Sequence, residues 1–431
     1  MQALQQPGCK HKKLIEDGKR QRKLYDKIDI CFYKNQFIFL FMIMINQSKT
    51  FAIYIYQLKF LSTMKLKFIY VLFIAFTVFT GCASSHSNTS DKKNELAAVD
   101  LKPYGRYWID KQQNLELISS AVHFGFDFTG SSCTVYAFIN DADGHNYLQY
   151  ELDGVYQKRL KVEGNSVQPI IITANNNGHH TVWIYKATEA TTGPVIIQKI
   201  IANNIKAITP LNEPLIEFIG NSITCGAASD TSEVKCGQGV YHDQHNAYYA
   251  YGPRVARALH ANYTLSSVSG IGIYRTWNMD SPSMPLVYEK QSLQTGDTTL
   301  WNFKKYTPKV VSIALGTNDL SHGDGIHARA AFDSAVFVKD YIAFVQLVKS
   351  KYPTATIALL SSPMINGNDR ILLQNCLTAV KQNIDALYPS NKAVALYFFN
   401  PMKAGGCSGH PSVEDHAVLA KELVPFFKKL L

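Results

Sequence analysis

The chain has 431 residues, with 43 Lys and Arg against 33 Asp and Glu, a formal charge of +10. That length allows two or three domains. Residues 1–63 hold 11 basic against 4 acidic residues, and Lys65 and Lys67 add two more charges, which leaves +1 for residues 82–431. The globular part is nearly neutral, so the electrostatic case for nucleic-acid binding falls away.

Residues 1–63 are rich in Phe, Ile, Tyr, Lys and Asn and have no usable amphipathic period. They read as a mis-called upstream extension, with an interrupted membrane segment over 37–45 and 51–56 as the competing reading. From Met64 a short basic stretch, Lys65-Leu66-Lys67, leads into an apolar run over 68–80 and then Gly81-Cys82-Ala83-Ser84-Ser85. That is the layout of a secretory signal peptide over 64–81. It ends in a site like a bacterial lipobox, with Phe79 where leucine is usual and Cys82 as the lipidated residue. The apolar run is about 13 residues, short of the ~20 that a membrane span requires. The segment 82–99, rich in Ser, Asn and Lys at its start, reads as a flexible tether. The expectation is export, with a lipid anchor in the bacterial cell envelope at the outer membrane or cell surface.

Residues 100–205 carry strand signals throughout. Val122, Phe124, Phe126 and Phe128 alternate with His123, Gly125 and Asp127, a period of two with one apolar face. Residues 147–152 and 155–162 flank Asp153-Gly154, a hairpin signal. Asn175-Asn176-Asn177-Gly178 marks a further turn before another strand. Several short strands over about 100 residues indicate a β-sandwich whose aromatic residues mostly fill its core.

Beyond residue 206 strands alternate with helices. Residues 215–219, 264–268, 310–315, 356–360 and 393–399 read as buried strands, and 247–259 and 337–351 as helices. A final helix follows Pro411, taken as a first-turn residue, with an apolar stripe at Val413, Leu419, Leu423, Phe427 and Leu430. The pattern gives a parallel three-layer α/β/α domain over 206–431. Cys133, Cys225, Cys236, Cys376 and Cys407 lack metal-ligand spacing, so zinc is not expected, and Cys225–Cys236 is the first choice for a disulfide.

Three segments of this domain carry chemistry. Ile219-Gly220-Asn221-Ser222 runs a strand through glycine into a serine, Leu315-Gly316-Thr317-Asn318-Asp319 repeats the strand-end logic, and Gly409-His410-Pro411 places a histidine before the last helix. Serine nucleophile, amide donor and imidazole are the parts that acyl transfer needs. With Ser269-Gly270-Ile271-Gly272 between the first two, these blocks resemble, in order, those of the SGNH/GDSL hydrolases. Further stretches, among them His180-Thr181-Val182, Tyr249-Ala250-Tyr251-Gly252, Met284-Pro285-Leu286-Val287-Tyr288 and Trp301-Asn302-Phe303, resemble carbohydrate esterase family 2. That family joins a jelly-roll sandwich to a flavodoxin-like SGNH domain.

The resemblance implies that Ser222 is the nucleophile and His410 the general base. The oxyanion hole would be the Ser222 and Gly270 N–H groups and the Asn318 amide, with Gly272 the alternative glycine and Asp319 structural. Where most SGNH enzymes carry an Asp three residues before the histidine, this chain has Cys407. A Ser–His dyad is therefore expected, with a backbone carbonyl holding the imidazole and with Glu414 and Asp415 only favouring the helix start. Ser408-Gly409 stands where family members often have Asp-Trp, so Tyr274 or Trp277 is the candidate aromatic wall for substrate. The implied activity is removal of O-acetyl groups from polysaccharide through an acetyl-serine, with no cofactor. The alternatives are a non-catalytic glycan-binding lipoprotein and a lipid or thioester acyl hydrolase.

Overall fold

The structure is a computed structural model and describes residues 94–209 and 211–431. The expected upstream extension, signal peptide, Cys82 anchor and most of the tether lie outside the described residues. The last residues expected in the tether belong to the folded part instead. Strand β1 (Glu95–Ala97) pairs antiparallel with a later strand, Glu95 opposite Ile201, and Ala98 and Leu101 are buried behind it. Leu96, Ala98 and Leu101 explain the difference, because they pack with the sandwich core.

Eight more strands follow: β2 (Tyr107–Ile109), β3 (Leu115–Leu117), β4 (His123–Phe138), β5 (His145–Leu152), β6 (Val155–Glu163), β7 (Gln168–Thr173), β8 (His179–Lys186) and β9 (Val195–Ala207). β4 and β9 form one long antiparallel ribbon with register shifts near Thr129. The first half of β4 pairs with β8, which leads on to β5 and β6, and the second half pairs with β7. The ribbon thus passes from one layer into the other at a bend, the way strands turn the corner of a sandwich. Phe124, Phe126 and Phe128 are fully buried in the core between the layers. In the hairpin, Asp153 and Gly154 both have positive φ, 53° and 77°, which suits the turn joining β5 to β6.

The period of two fails at His123, which is also buried. Its ring lies 4.5 Å from that of Tyr263 in the second domain, so the outer face of β4 is covered as well. Arg106 ties the domains together nearby. Its guanidinium, 1% exposed, donates to the carbonyls of Tyr288 and Lys290, both at 2.7 Å, and to Ser266 Oγ.

The second domain holds β10 (Leu215–Gly220), β11 (Asn262–Ser267), β12 (Val310–Ala314), β13 (Thr356–Leu360) and β14 (Ala395–Tyr397), all parallel, in the order β11-β10-β12-β13-β14. Its helices are α1 (Ser222–Cys225), α2 (Tyr251–Ala258), α3 (Met284–Val287), α4 (Ser334–Lys351), α5 (Gly367–Leu387) and α6 (Val413–Lys428). Ile216 and Phe218 of β10 pack with α2 and α6, whereas Ile219 packs with α4 and α5 on the other face. Those two apolar faces produce the three-layer α/β/α arrangement. The last helix starts later than the sequence implies. Ser412 is its N-cap and forms a capping box with Asp415, so Pro411 lies outside it. Strand order reverses at β10, and the carboxyl ends of β10, β11 and β12 open together, the place where such sheets bind ligands.

Candidate active site

β10 ends at Gly220, where a Cβ would lie 2.0 Å from Thr224 Oγ1 and 3.3 Å from the Ala314 carbonyl. Only glycine lets the chain turn so tightly into α1. Asn221 caps that turn by accepting the Ile223 N–H at 3.1 Å, and Ser222 opens it. Ser222 is 7% exposed and its own N–H is among the free donors of a first helical turn.

The Ser269–Gly272 loop leaves β11. Gly270 has φ +74° and a Cβ there would lie 2.8 Å from Trp277 Cδ1, so the position favours glycine twice over. Its N–H finds no hydrogen-bond acceptor among the described residues. Gly272 is pressed against Asp319 Oδ2, at 2.3 Å for an added Cβ. It serves packing, which separates the two glycines that the sequence left open. Asp319 is fully buried and its carboxylate accepts from Ile273 N–H and Tyr274 N–H, at 2.9 to 3.0 Å. Burial pushes its pKa up to about 6 against the pull of those N–H groups. Its role is to pin the loop. Asn318 is oriented by donating from Nδ2 to the Ile271 carbonyl at 2.8 Å, which leaves its second amide hydrogen for another acceptor.

His410 precedes α6. Its Nδ1 faces the carbonyls of Cys407 (3.3 Å) and Ser408 (3.1 Å). Two acceptors place the proton on Nδ1 and leave Nε2 basic. Nε2 lies 3.4 Å from the Tyr241 hydroxyl. Burial lowers the His410 pKa while the two carbonyls oppose that, so the neutral, basic form is favoured. Among the described residues no hydrogen bond joins Ser222 Oγ to Nε2, a contact that commonly tightens only around substrate. Asp415 is turned away, accepting from the N–H groups of Gly405 (2.7 Å) and Ser412 (2.9 Å).

Ser222, Gly270, Asn318 and His410 line one cavity of about 540 Å³, together with Tyr241, Trp277 and Met364. Trp277 is 42% exposed at this cavity. Tyr274 is not part of it. Its ring packs against Phe332 and Phe337 and its hydroxyl accepts from Asp333 N–H, so that candidate wall belongs to the core. The disulfide also differs from expectation. Cys236 pairs with Cys407, and Cys225 is buried and free beside Ser267 Oγ. Cys225 ends the short helix that Ser222 opens and points inward to Ser267, whereas Cys236 is on the loop that reaches the His410 segment.

Tyr241 had no sequence signal. It is delivered by the short 3-10 turn Tyr241–Gln244, within which Asp243 accepts from Val240 N–H, Tyr147 Oη and His145 Nε2. His145, His242 and Asp243 bring donor atoms within 4.8 Å of one another and are the group among the described residues best suited to a metal. The Arg159 guanidinium donates to the Asp243 carbonyl beside them, so these contacts account for the cluster as a lock on the Tyr241 turn.

Residues 104–211 match the Carbohydrate esterase 2 N-terminal family, and residues 218–411 the GDSL-like Lipase/Acylhydrolase family. An acetylxylan esterase / glucomannan deacetylase of Cellvibrio japonicus is 26% identical over 375 residues, 85% of this chain and 99% of that protein. The solved structure of a family two carbohydrate esterase from Cellvibrio japonicus aligns with TM-score 0.68 at 24% identity, covering 78% of this chain and 97% of the other. One from Clostridium thermocellum in complex with cellohexaose aligns with TM-score 0.67 at 26% identity, covering 76% and 98%. The chain thus joins a domain of the Carbohydrate esterase 2 N-terminal type to a GDSL-like hydrolase domain, and its homologues are family 2 carbohydrate esterases.

Proposed function

We propose that the protein is a carbohydrate O-acetyl esterase that deacetylates polysaccharide of the xylan type or similar. The observation that carries this reading is the convergence of Ser222, Gly270, Asn318 and His410 on one cavity. His410 Nε2 takes the Ser222 Oγ proton as the oxygen attacks the ester carbonyl. The N–H groups of Ser222 and Gly270 and the Asn318 amide receive the developing oxyanion. The intermediate collapses as the imidazolium protonates the departing sugar oxygen, leaving acetyl-Ser222. Water, deprotonated by the same imidazole, attacks acetyl-Ser222, and the imidazolium returns that proton to Ser222 Oγ as acetate leaves.

No carboxylate is needed to orient His410, because the Cys407 and Ser408 carbonyls already hold Nδ1–H. This supports a dyad. A glycan substrate is supported by the relative described as an acetylxylan esterase / glucomannan deacetylase and by Trp277 at the cavity. Export with a lipid on Cys82 rests on the residues from Met64 to Ser85, and the Cys236–Cys407 disulfide fits an oxidising compartment.

The test is acetate release from acetylated xylan and acetylated glucomannan by the wild type and by Ser222→Ala. The expected result is release by the wild type and a loss of at least ~10³-fold in the variant. Equal rates would overturn the assignment. A marked preference for acyl chains longer than about four carbons would move the substrate to lipid.

A further inference from the structure

Glu189 belongs to the sandwich, three residues after β8, yet its side chain ends beneath the catalytic loops of the other domain. It is 2% exposed. Oε2 accepts the Ser269 N–H at 2.6 Å and Oε1 faces His245 Nε2 at 3.3 Å. The Cys225 thiol, at the end of the nucleophile helix, lies 3.8 Å from Oε2. The Glu189 main chain is itself fixed, its carbonyl accepting from Lys186 Nζ at 2.6 Å and Thr192 Oγ1 at 2.8 Å.

Each partner leads to the reaction centre. Ser269 directly precedes Gly270, so its anchored N–H sets the plane from which the Gly270 N–H is aimed. His245 carries the Tyr241 ring edge-on, with centroids 4.7 Å apart, and the Tyr241 hydroxyl faces His410 Nε2. His245 cannot change tautomer freely, because its Nδ1 accepts the Ala228 N–H at 3.2 Å. Its Nε2 must therefore carry the proton that Glu189 receives. Burial opposes ionisation of this carboxyl, but the His245 and Ser269 hydrogen bonds outweigh it and hold the group below the usual carboxylate range. A buried charge is costly to keep, and here it is kept where three catalytic segments meet.

We propose that Glu189 is a positioning residue of the esterase, reaching from the sandwich to fix the Ser269–Gly270 oxyanion loop and the Tyr241–His245 turn, so that the active site is complete only with both domains. This rests on the esterase reading above. Glu189 touches no substrate; it acts through the groups it holds. The sandwich is then a structural part of the catalytic centre.

Glu189→Gln tests this with little change of shape. Two N–H donors converge on the carboxylate, and a carboxamide offers one oxygen and one NH2, so one donor must face another donor. The expected result is a fall in kcat on acetylated xylan of ~10²-fold, the scale of losing one oxyanion donor, with KM changed less than about 3-fold. Affinity for a boronic acid, which forms a tetrahedral adduct with the nucleophilic serine, should fall in parallel with kcat. Glu189→Asp, which keeps the charge but not the reach, should lie between. The proposal is overturned if Glu189→Gln keeps wild-type kcat and boronate affinity. It is equally overturned if only the melting temperature falls while activity per titrated active site is unchanged. Ser222→Ala run alongside separates the two ideas. If it matches the wild type, the esterase reading has failed; if it is inactive while Glu189→Gln is normal, only the positioning role has failed.

Discussion

His410 illustrates how one side chain can be oriented without a dedicated carboxylate. Its Nδ1–H meets two backbone carbonyls from the turn that precedes it, and the Ser408 residue of that turn has φ 52°, a left-handed conformation that sets the carbonyls there. Asp415, the nearest tempting acid, spends its carboxylate on capping α6. His410→Ala should abolish turnover, whereas Asp415→Ala and Glu414→Ala should each leave kcat within a few-fold. Loss of the Asp415 cap should cost only about 1 kcal/mol of stability, read from chemical denaturation. A loss from Asp415→Ala as large as that from His410→Ala would contradict the dyad. That Ser222, Asn318 and His410 meet at one place was legible in the sequence, because the first two follow buried strands and the third precedes the last helix. Tyr274 was misread, since aromatic residues in a loop after a glycine block look alike whether they face substrate or core. Glu189 was invisible, because a lone acid after a strand carries no pattern; its meaning comes from contacts 56 and 80 residues away.

The elements of the second domain followed from buried apolar runs, and all five predicted strands are present. Their alternation with helices could only pair as a parallel sheet. The errors lay at boundaries and in loops. Residues 247–249 form a 3-10 turn before α2, where Asn246 caps by accepting the Tyr249 N–H, so the helix begins at Tyr251. The disulfide was misassigned for a related reason. Proximity in sequence favoured Cys225–Cys236, but the observed bridge closes a separation of 171 residues, joining the loop before the Tyr241 turn to the His410 loop. Alkylation of the unreduced, unfolded protein should label Cys133, Cys225 and Cys376 and spare Cys236 and Cys407. Replacing both bridged cysteines by serine should lower stability by about 2–4 kcal/mol and reduce kcat by loosening the segment that carries His410. Labelling of Cys236 or Cys407 in that experiment would contradict the pairing.

At the scale of the whole molecule, the two domains share one polar and aromatic seam. Arg106 reaches from the sandwich to carbonyls of Tyr288 and Lys290, the His123 ring packs against Tyr263, and Glu189 meets Ser269 and His245. The alternating pattern of β4 showed a sandwich but could not show that its outer face is also covered, since periodicity reports one buried face at a time. That seam runs along β11 from Tyr263 near its amino end to Ser266, and reaches Ser269 just past its carboxyl end, where it borders the cavity around Ser222. In the proposed mechanism acyl transfer passes through this serine. Its most direct test is to quench the wild-type enzyme in acid during turnover of an acetylated xylo-oligosaccharide and map the modified peptide by mass spectrometry. An acetyl group on Ser222, absent in Ser222→Ala, is the expected result. Acetate release with Ser222 unmodified, or undiminished in the Ser222→Ala variant, would contradict that mechanism.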